Sequence, residues 1–306
     1  MLSEDEQKAA YIEKAAREAL SAETETDAEE TTESENEATE SETAAETEAV
    51  TEEASETETE SETDTETETE TQSETEAVFE EEQTEKTESQ TEKIMVAIDA
   101  SHQGTDADLT EEEPVGPGSE TMIKGFSEGT SGTATGLEEN ELNLEVATKL
   151  KEILEERGYE VFMTREDADT QLSEVERAEL VNASDAQILI SLHANGGEDS
   201  TEKGVEVMAP SYENPYWKDR TGNIKKSNAL ADIILQSYCE ETGLNAKGLY
   251  NVDNQILLNW SEIPSVVLEM GFMSNESDDA YMAEEEHQQE MAEGIADGID
   301  LYFGRS

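Results

Sequence analysis

Cysteine occurs once, at Cys239, so no disulfide can close within the chain. A single cysteine in a helical stretch reads as a packing residue without a catalytic role. No run of about 18 apolar residues exists, so no helix is expected to cross a membrane. No basic segment followed by an apolar core opens the chain, so no export signal is visible. Basic residues are few, 18 against 80 acidic ones, and the formal net charge is −62. A field of that sign repels phosphates and anionic lipid headgroups, which excludes nucleic-acid and peripheral-membrane binding. Histidine is also scarce, with three residues in 306.

The charge divides the chain. Residues 1–93 hold 35 acids and 5 bases, net −30, and the remainder holds 45 and 13, net −32 over more than twice the length. Residues 1–20 read as a short helix, with Ala9, Ala10, Ile12, Ala15, Ala16 and Leu20 as a weak apolar stripe. Residues 21–93 are almost wholly Glu, Thr, Ser and Ala. Such a composition builds no core, so a disordered acidic linker is expected. A neutral flexible chain of that length spans roughly 50 Å, and self-repulsion swells it further. A spacer between an anchor and a working domain is the expected role.

From Ile94 the texture changes. Strand patterns are expected over 93–99, 159–164, 187–192, 204–208 and 266–269, and helices over 139–157, 173–184, 223–241 and 285–303. Gly158 and Gly243 are helix stops, and Val175, Leu180 and Val181 are expected to face inward. Strands alternating with helices predict an α/β fold: a single open, mostly parallel twisted sheet with helices on both faces, forming one domain over 94–306. Residues 103–137 read as a loop insertion without periodicity, a lid, a groove wall or an autoinhibitory segment.

Two histidines follow apolar runs, His102 after Ile98-Asp-Ala-Ser and His193 after Ile188-Leu-Ile-Ser-Leu. In open α/β sheets, ligands bind at the carboxyl ends of the strands. Each histidine alone is explained as well by an ordinary turn or strand-end role. Two at one sheet edge suit a catalytic zinc, which needs three protein ligands and an open position. Glu138, Glu139 and Glu141 at the start of the first long helix offer the third ligand. Pattern alone does not choose among them, and acids at a helix N-terminus are common without one. Glu269 ends the apolar run Ser265-Val-Val-Leu. Partial desolvation would raise its pKa and suit a general base; the competing explanation is a buried ion pair with Arg165 or Arg177. His287, among Glu286, Gln288 and Gln289, reads as a solvated residue.

Six segments in order carry a resemblance. They are Asp99-Ala-Ser-His-Gln-Gly104, Glu139-Asn-Glu-Leu-Asn-Leu144, Gly158-Tyr-Glu-Val-Phe-Met-Thr-Arg165, Glu176-Arg177 with Val181-Asn182, Ser191-Leu-His-Ala-Asn195, and Glu269-Met-Gly-Phe-Met-Ser-Asn275. Together they resemble the zinc-dependent N-acetylmuramoyl-L-alanine amidases of the amidase 3 type. The resemblance selects Glu139 over its neighbours. It implies zinc (Zn2+) held by His102, Glu139 and His193, with Glu269 as catalytic acid/base. It also implies cleavage of the amide between muramic acid and L-alanine in peptidoglycan. Asn195 is a candidate substrate-binding donor, with turn stabilisation as its competing role. Ala100-Ser101 and Gln103 stand where the family has Pro-Gly and Gly, so the His102 loop must turn differently. The 37 positions from His102 to Glu139 exceed the compact family pattern.

A zinc peptidase cutting another bond of the wall, or a non-catalytic wall-binding module, are the alternatives. Peptidoglycan is the expected partner and a monomer the expected state. An extracellular or wall location is expected, with the export signal outside this sequence; a cytoplasmic location is the alternative.

Overall fold

Six strands assemble because alternate residues of each must be buried while every backbone group finds a partner. The computed structural model describes residues 93–104, 110–127, 129–168, 170–217 and 220–305. The helix expected over 1–20 and nearly all of the linker expected over 21–93 lie outside the described residues. In chain order the elements are β1 (Met95–Ala100), β2 (Glu112–Pro114), β3 (Met122–Lys124), α1 (Glu139–Glu156), β4 (Glu160–Met163), α2 (Glu174–Asn182) and β5 (Ile188–Asn195). Then come β6 (Val205–Pro210), α3 (Thr221–Thr242), β7 (Ala246–Val252), α4 (Ile256–Trp260), β8 (Ser265–Phe272), α5 (Glu276–Met282) and α6 (Glu285–Tyr302).

The main sheet has the order β4-β1-β5-β8-β6-β7. Pairing is parallel except between β6 and β8. The mostly parallel α/β sheet expected from the sequence is therefore present. One face carries the larger core, where Val96, Ile98, Ile190, Leu192, Val266 and Leu268 meet apolar residues of α1, α3 and α6. Gly294 lets α6 lie close on α3, since a Cβ there would sit 2.9 Å from the Tyr238 Cα. The other face carries a smaller cluster of Ala97, Leu189, Ala178, Val181 and Leu257 from the sheet, α2 and α4. Among the described residues no helix is long and apolar enough to cross a membrane.

Several expectations need correction. β5 and β8 run past their expected ends, so His193 and Glu269 lie inside strands rather than beyond or at the end of one. Pairing of Asn195 with Phe272, after a register shift past His193, extends both strands. Leu180 points outward at 40% exposure; Arg177, Ala178 and Val181 form the inner face of α2. The insertion contains an antiparallel hairpin, β2–β3, which its lack of periodicity did not announce.

Candidate active site

β1 delivers His102 through a turn that two arginines hold in place. His102 has φ +61°, a left-handed conformation that no other non-glycine residue adopts among those described. Such backbone persists only where its surroundings fix it. Arg165 donates to the carbonyls of Ala100 (2.6 Å) and Ser101 (3.2 Å), and Arg177 to those of Ala100 (3.0 Å) and His102 (2.9 Å). Arg177 also pairs at 2.8 Å with buried Asp99, which accepts from Thr164 and Ser191. Burial alone would raise the Asp99 carboxyl, but the Arg177 charge and the two hydroxyls outweigh it and hold it at about 2. Neither arginine is an ion-pair partner of Glu269, so that competing explanation for the glutamate falls away.

Glu139 stands at the first turn of α1 and is buried. Its Oε1 lies 3.0 Å from His102 Nε2 and 3.3 Å from His193 Nδ1. The backbone N–H of Ala194 donates to Oε1 (3.0 Å) and that of Thr130 to Oε2 (2.8 Å). Burial raises the Glu139 carboxyl, yet hydrogen bonds from both imidazoles hold it well below the usual carboxylate range. The two rings meet edge-on with centroids 4.8 Å apart. Burial opposes charge on His193, but its bond to Glu139 and the nearby Glu269 push it up to about 9. The Nδ1 of His102 lies 3.0 Å from the Ser127 carbonyl, which can only accept. The ring therefore carries a proton on Nδ1, and Nε2 is the nitrogen turned toward Glu139.

One ligand atom from each of His102, Glu139 and His193 lies within 4.8 Å of the others. Two imidazoles and a carboxylate so placed fit zinc by donor chemistry. Glu269 pairs with His193 across β5–β8 and with Glu206 across β8–β6. Residues paired in this way point to the same face, so Glu269 stands beside the group of three. Burial pushes its carboxyl up to about 7; His193 opposes this, while Glu139 and Glu206 add to it.

Profile comparison then decides the family, since the N-acetylmuramoyl-L-alanine amidase profile matches residues 96–300. The chain belongs to the N-acetylmuramoyl-L-alanine amidases. It is thus a peptidoglycan amidase, an enzyme that hydrolyses the amide between N-acetylmuramic acid and L-alanine. An uncharacterized Bacillus subtilis protein, YqiI, is 30% identical over 176 residues, 58% of this chain and 80% of that protein. The probable cell wall amidase LytH of Staphylococcus aureus is 29% identical over 165 residues, 54% of this chain and 50% of LytH. The catalytic domain of the amidase CwlV from Bacillus (Paenibacillus) polymyxa var. colistinus aligns with TM-score 0.55 at 26% identity, over 70% of this chain and 99% of that domain. Ami1 from Mycobacterium smegmatis aligns with TM-score 0.62 at 25% identity, over 69% of this chain and 97% of that one.

The remaining residues of the amidase that sequence reasoning singled out fare differently. The Asn195 amide is engaged: its oxygen accepts from Gly196 N (2.8 Å) and its nitrogen donates to Glu206 (3.0 Å). His287 is half-buried and stacks on Tyr281 at 4.0 Å, so it is not the solvated residue expected. Three residues near the site have no role assigned from the sequence. Glu206 braces Asn195 and binds Lys247 at 2.9 Å; its alternation in Val205-Glu-Val-Met was the available signal. Asp99 was noticed only as part of a motif. Glu174 shares a small cavity with His102, Gln103 and Phe126, and burial raises its carboxyl; nothing in its local sequence marks it.

Proposed function

We propose that this amidase works through one zinc ion held by His102, Glu139 and His193, with Glu269 as acid/base. The observation that carries the reading is the convergence of those three donor sets beside a carboxyl raised to about 7. When bound, zinc supplies Lewis acidity, making water more acidic and polarising a carbonyl. Glu269 takes a proton from water as the water oxygen bonds to the carbonyl carbon of the lactyl group. It returns that proton to the alanine nitrogen as the C–N bond breaks. A carboxyl titrating near neutrality suits both transfers. Asn195 contributes by holding Glu206 beside Glu269, and a direct contact with substrate is its further proposed role.

The substrate lies outside the cytoplasmic membrane, so the amidase acts in the cell wall, with 94–306 as its catalytic domain and 21–93 as its spacer. The name of LytH, a probable cell wall amidase, supports that location.

The test is digestion of purified peptidoglycan by the full chain, with and without a chelator, read by mass spectrometry. Stem peptides with a free L-alanine N-terminus, lost with chelator and restored by zinc, are expected. Chelator-insensitive release would overturn the zinc reading. Cleavage elsewhere in the stem would overturn the bond assignment.

A further inference from the structure

The segment between His102 and Glu139 joins two of the proposed ligands, and its described residues, 110–127 and 129–137, are held unlike a lid. Going out, Glu113 of β2 accepts from the Ser173 hydroxyl and from Val175 N (3.2 Å). A carboxylate there faces the positive end of α2. One turn on, Arg177 of α2 donates to the carbonyls of Ala100 and His102, so the hairpin is braced against the helix that fixes the His102 turn. The hairpin is tied down further by Trp260 Nε1 to the Pro114 carbonyl (3.0 Å) and Asn259 Nδ2 to the Val115 carbonyl (2.7 Å).

Coming back, the segment touches both ligands itself. The Ser127 carbonyl accepts from His102 Nδ1, and Thr130 N donates to Glu139 Oε2. The Thr130 carbonyl accepts from Glu139 N at 2.9 Å. Gly129 lies between these contacts at φ +80°, and a Cβ there would sit 2.8 Å from Glu139 Oε2 and 3.1 Å from His102 Cδ2. Glycine is required at this point by both conformation and space. Beyond it, the Asp279 carboxylate receives Ala134 N (2.6 Å) and Thr135 N (3.0 Å).

We infer that the insertion, through its described residues 110–127 and 129–137, is a positioning element of the metal site. It sets the tautomer of His102 and the orientation of the Glu139 carboxylate before any metal arrives. A lid must leave its seat to admit substrate. This segment cannot leave without stripping His102 of the Ser127 carbonyl and the Glu139 side chain of Thr130 N, one of its two backbone donors. The inference rests on the zinc reading above and deepens it.

The test is zinc affinity of the full chain, measured by competition with a chromophoric chelator, for Gly129→Ala, Gly118→Ala and Glu113→Ala. Outer partners of metal ligands are commonly worth on the order of 10–100-fold in metal affinity. Gly129→Ala is expected to bind zinc more weakly within that range. Gly118→Ala makes a matched control, because Gly118 also has positive φ (+74°) but a Cβ there would meet nothing within 4 Å; parental affinity is expected. Glu113→Ala removes the brace on α2 without touching a ligand and is expected to cost roughly tenfold. Parental affinity in a folded Gly129→Ala overturns the inference, including the case in which only KM for peptidoglycan changes, as a lid requires. Should circular dichroism show Gly129→Ala unfolded, Glu113→Ala decides, and unchanged affinity there overturns it. A parent chain that binds no zinc would instead overturn the zinc reading.

Discussion

The two faces of the central strands are made from the same stretches of chain and do opposite work. Toward α1, α3 and α6, β1, β5 and β8 present Val96, Ile98, Ile188, Ile190, Leu192, Val266, Leu268 and Met270, all fully buried. Toward α2 and α4, the intervening residues are apolar at first, Ala97, Leu189 and Val267, and polar toward the carboxyl ends, Asp99, Ser191, His193 and Glu269. Because side chains alternate at a period of two, near the carboxyl ends a residue that packs is followed by a polar one on the opposite face. A slip of one residue in β5 would drive His193 into the core and turn Leu192 toward the substrate. Packing on the apolar face therefore fixes the register that places the polar face, and the site inherits its precision from that core.

The largest expected effect separates the faces from the reactive side. Glu269→Gln keeps the shape of the side chain and removes its base, so turnover should fall on the order of 10²–10⁴-fold, with zinc content unchanged. His193→Ala should instead lose the metal, as elemental analysis would show. Stability should not suffer in the glutamine variant. The Glu269 carboxyl is raised in the fold to about 7, so its ionisation opposes folding above the ordinary carboxyl range. Zinc-free Glu269→Gln should therefore melt no lower than the parent at pH 8. Near-parental turnover would remove the proposed base, and a lower melting temperature would break the division of labour between the faces.

Next in size comes the converse change on the apolar face. Ile190 is fully buried in the larger core, one residue from Ser191. Ile190→Ala should cost about 2–5 kcal/mol of stability, read by urea denaturation. Below the transition, turnover per folded molecule and zinc affinity should stay near parental. A parallel loss of zinc affinity would show that the faces are coupled more tightly than the alternation implies.

Much of this arrangement could be read from the sequence because buried parallel strands are nearly continuous apolar runs. Ile188 to Leu192 and Val266 to Leu268 stand out, and the polar residues interrupting or ending them drew attention to His193 and Glu269. The antiparallel insertion of β6 beside β8 was not legible, since local pattern carries no strand order. β7 was missed because this edge strand is mostly half-exposed or exposed and contains Gly248. The hairpin was missed for another reason. Its strands have three residues each, and what fixes it is remote: Asn259 and Trp260 reach its carbonyls from more than 140 positions away. The Asp99–Arg177 pair was hidden likewise, because the sequence offers several acids to each arginine and only the fold selects one.

The smallest effect concerns the polar layer beneath the site. Asp99 has its pKa lowered from 3.8 to about 2, so the stability it contributes is complete above pH 4 and is lost as pH falls toward 2. The difference of nearly two pH units corresponds to roughly 2 kcal/mol. Acid weakens the parent through many carboxylates, so the parent's own curve does not isolate this one. The gap between parent and Asp99→Asn does, because the other acids cancel. At neutral pH the gap is wide, since the variant leaves the Arg177 guanidinium without its buried charge partner. It should close by about 2 kcal/mol between pH 4 and pH 2 in urea denaturation, as the parent's Asp99 takes up its proton. A gap independent of pH would mean that Asp99 acts through its shape and its hydrogen bonds to Thr164 and Ser191. The polar layer would then be held by neutral contacts, as the apolar face is held by packing, and not by the buried charge pair.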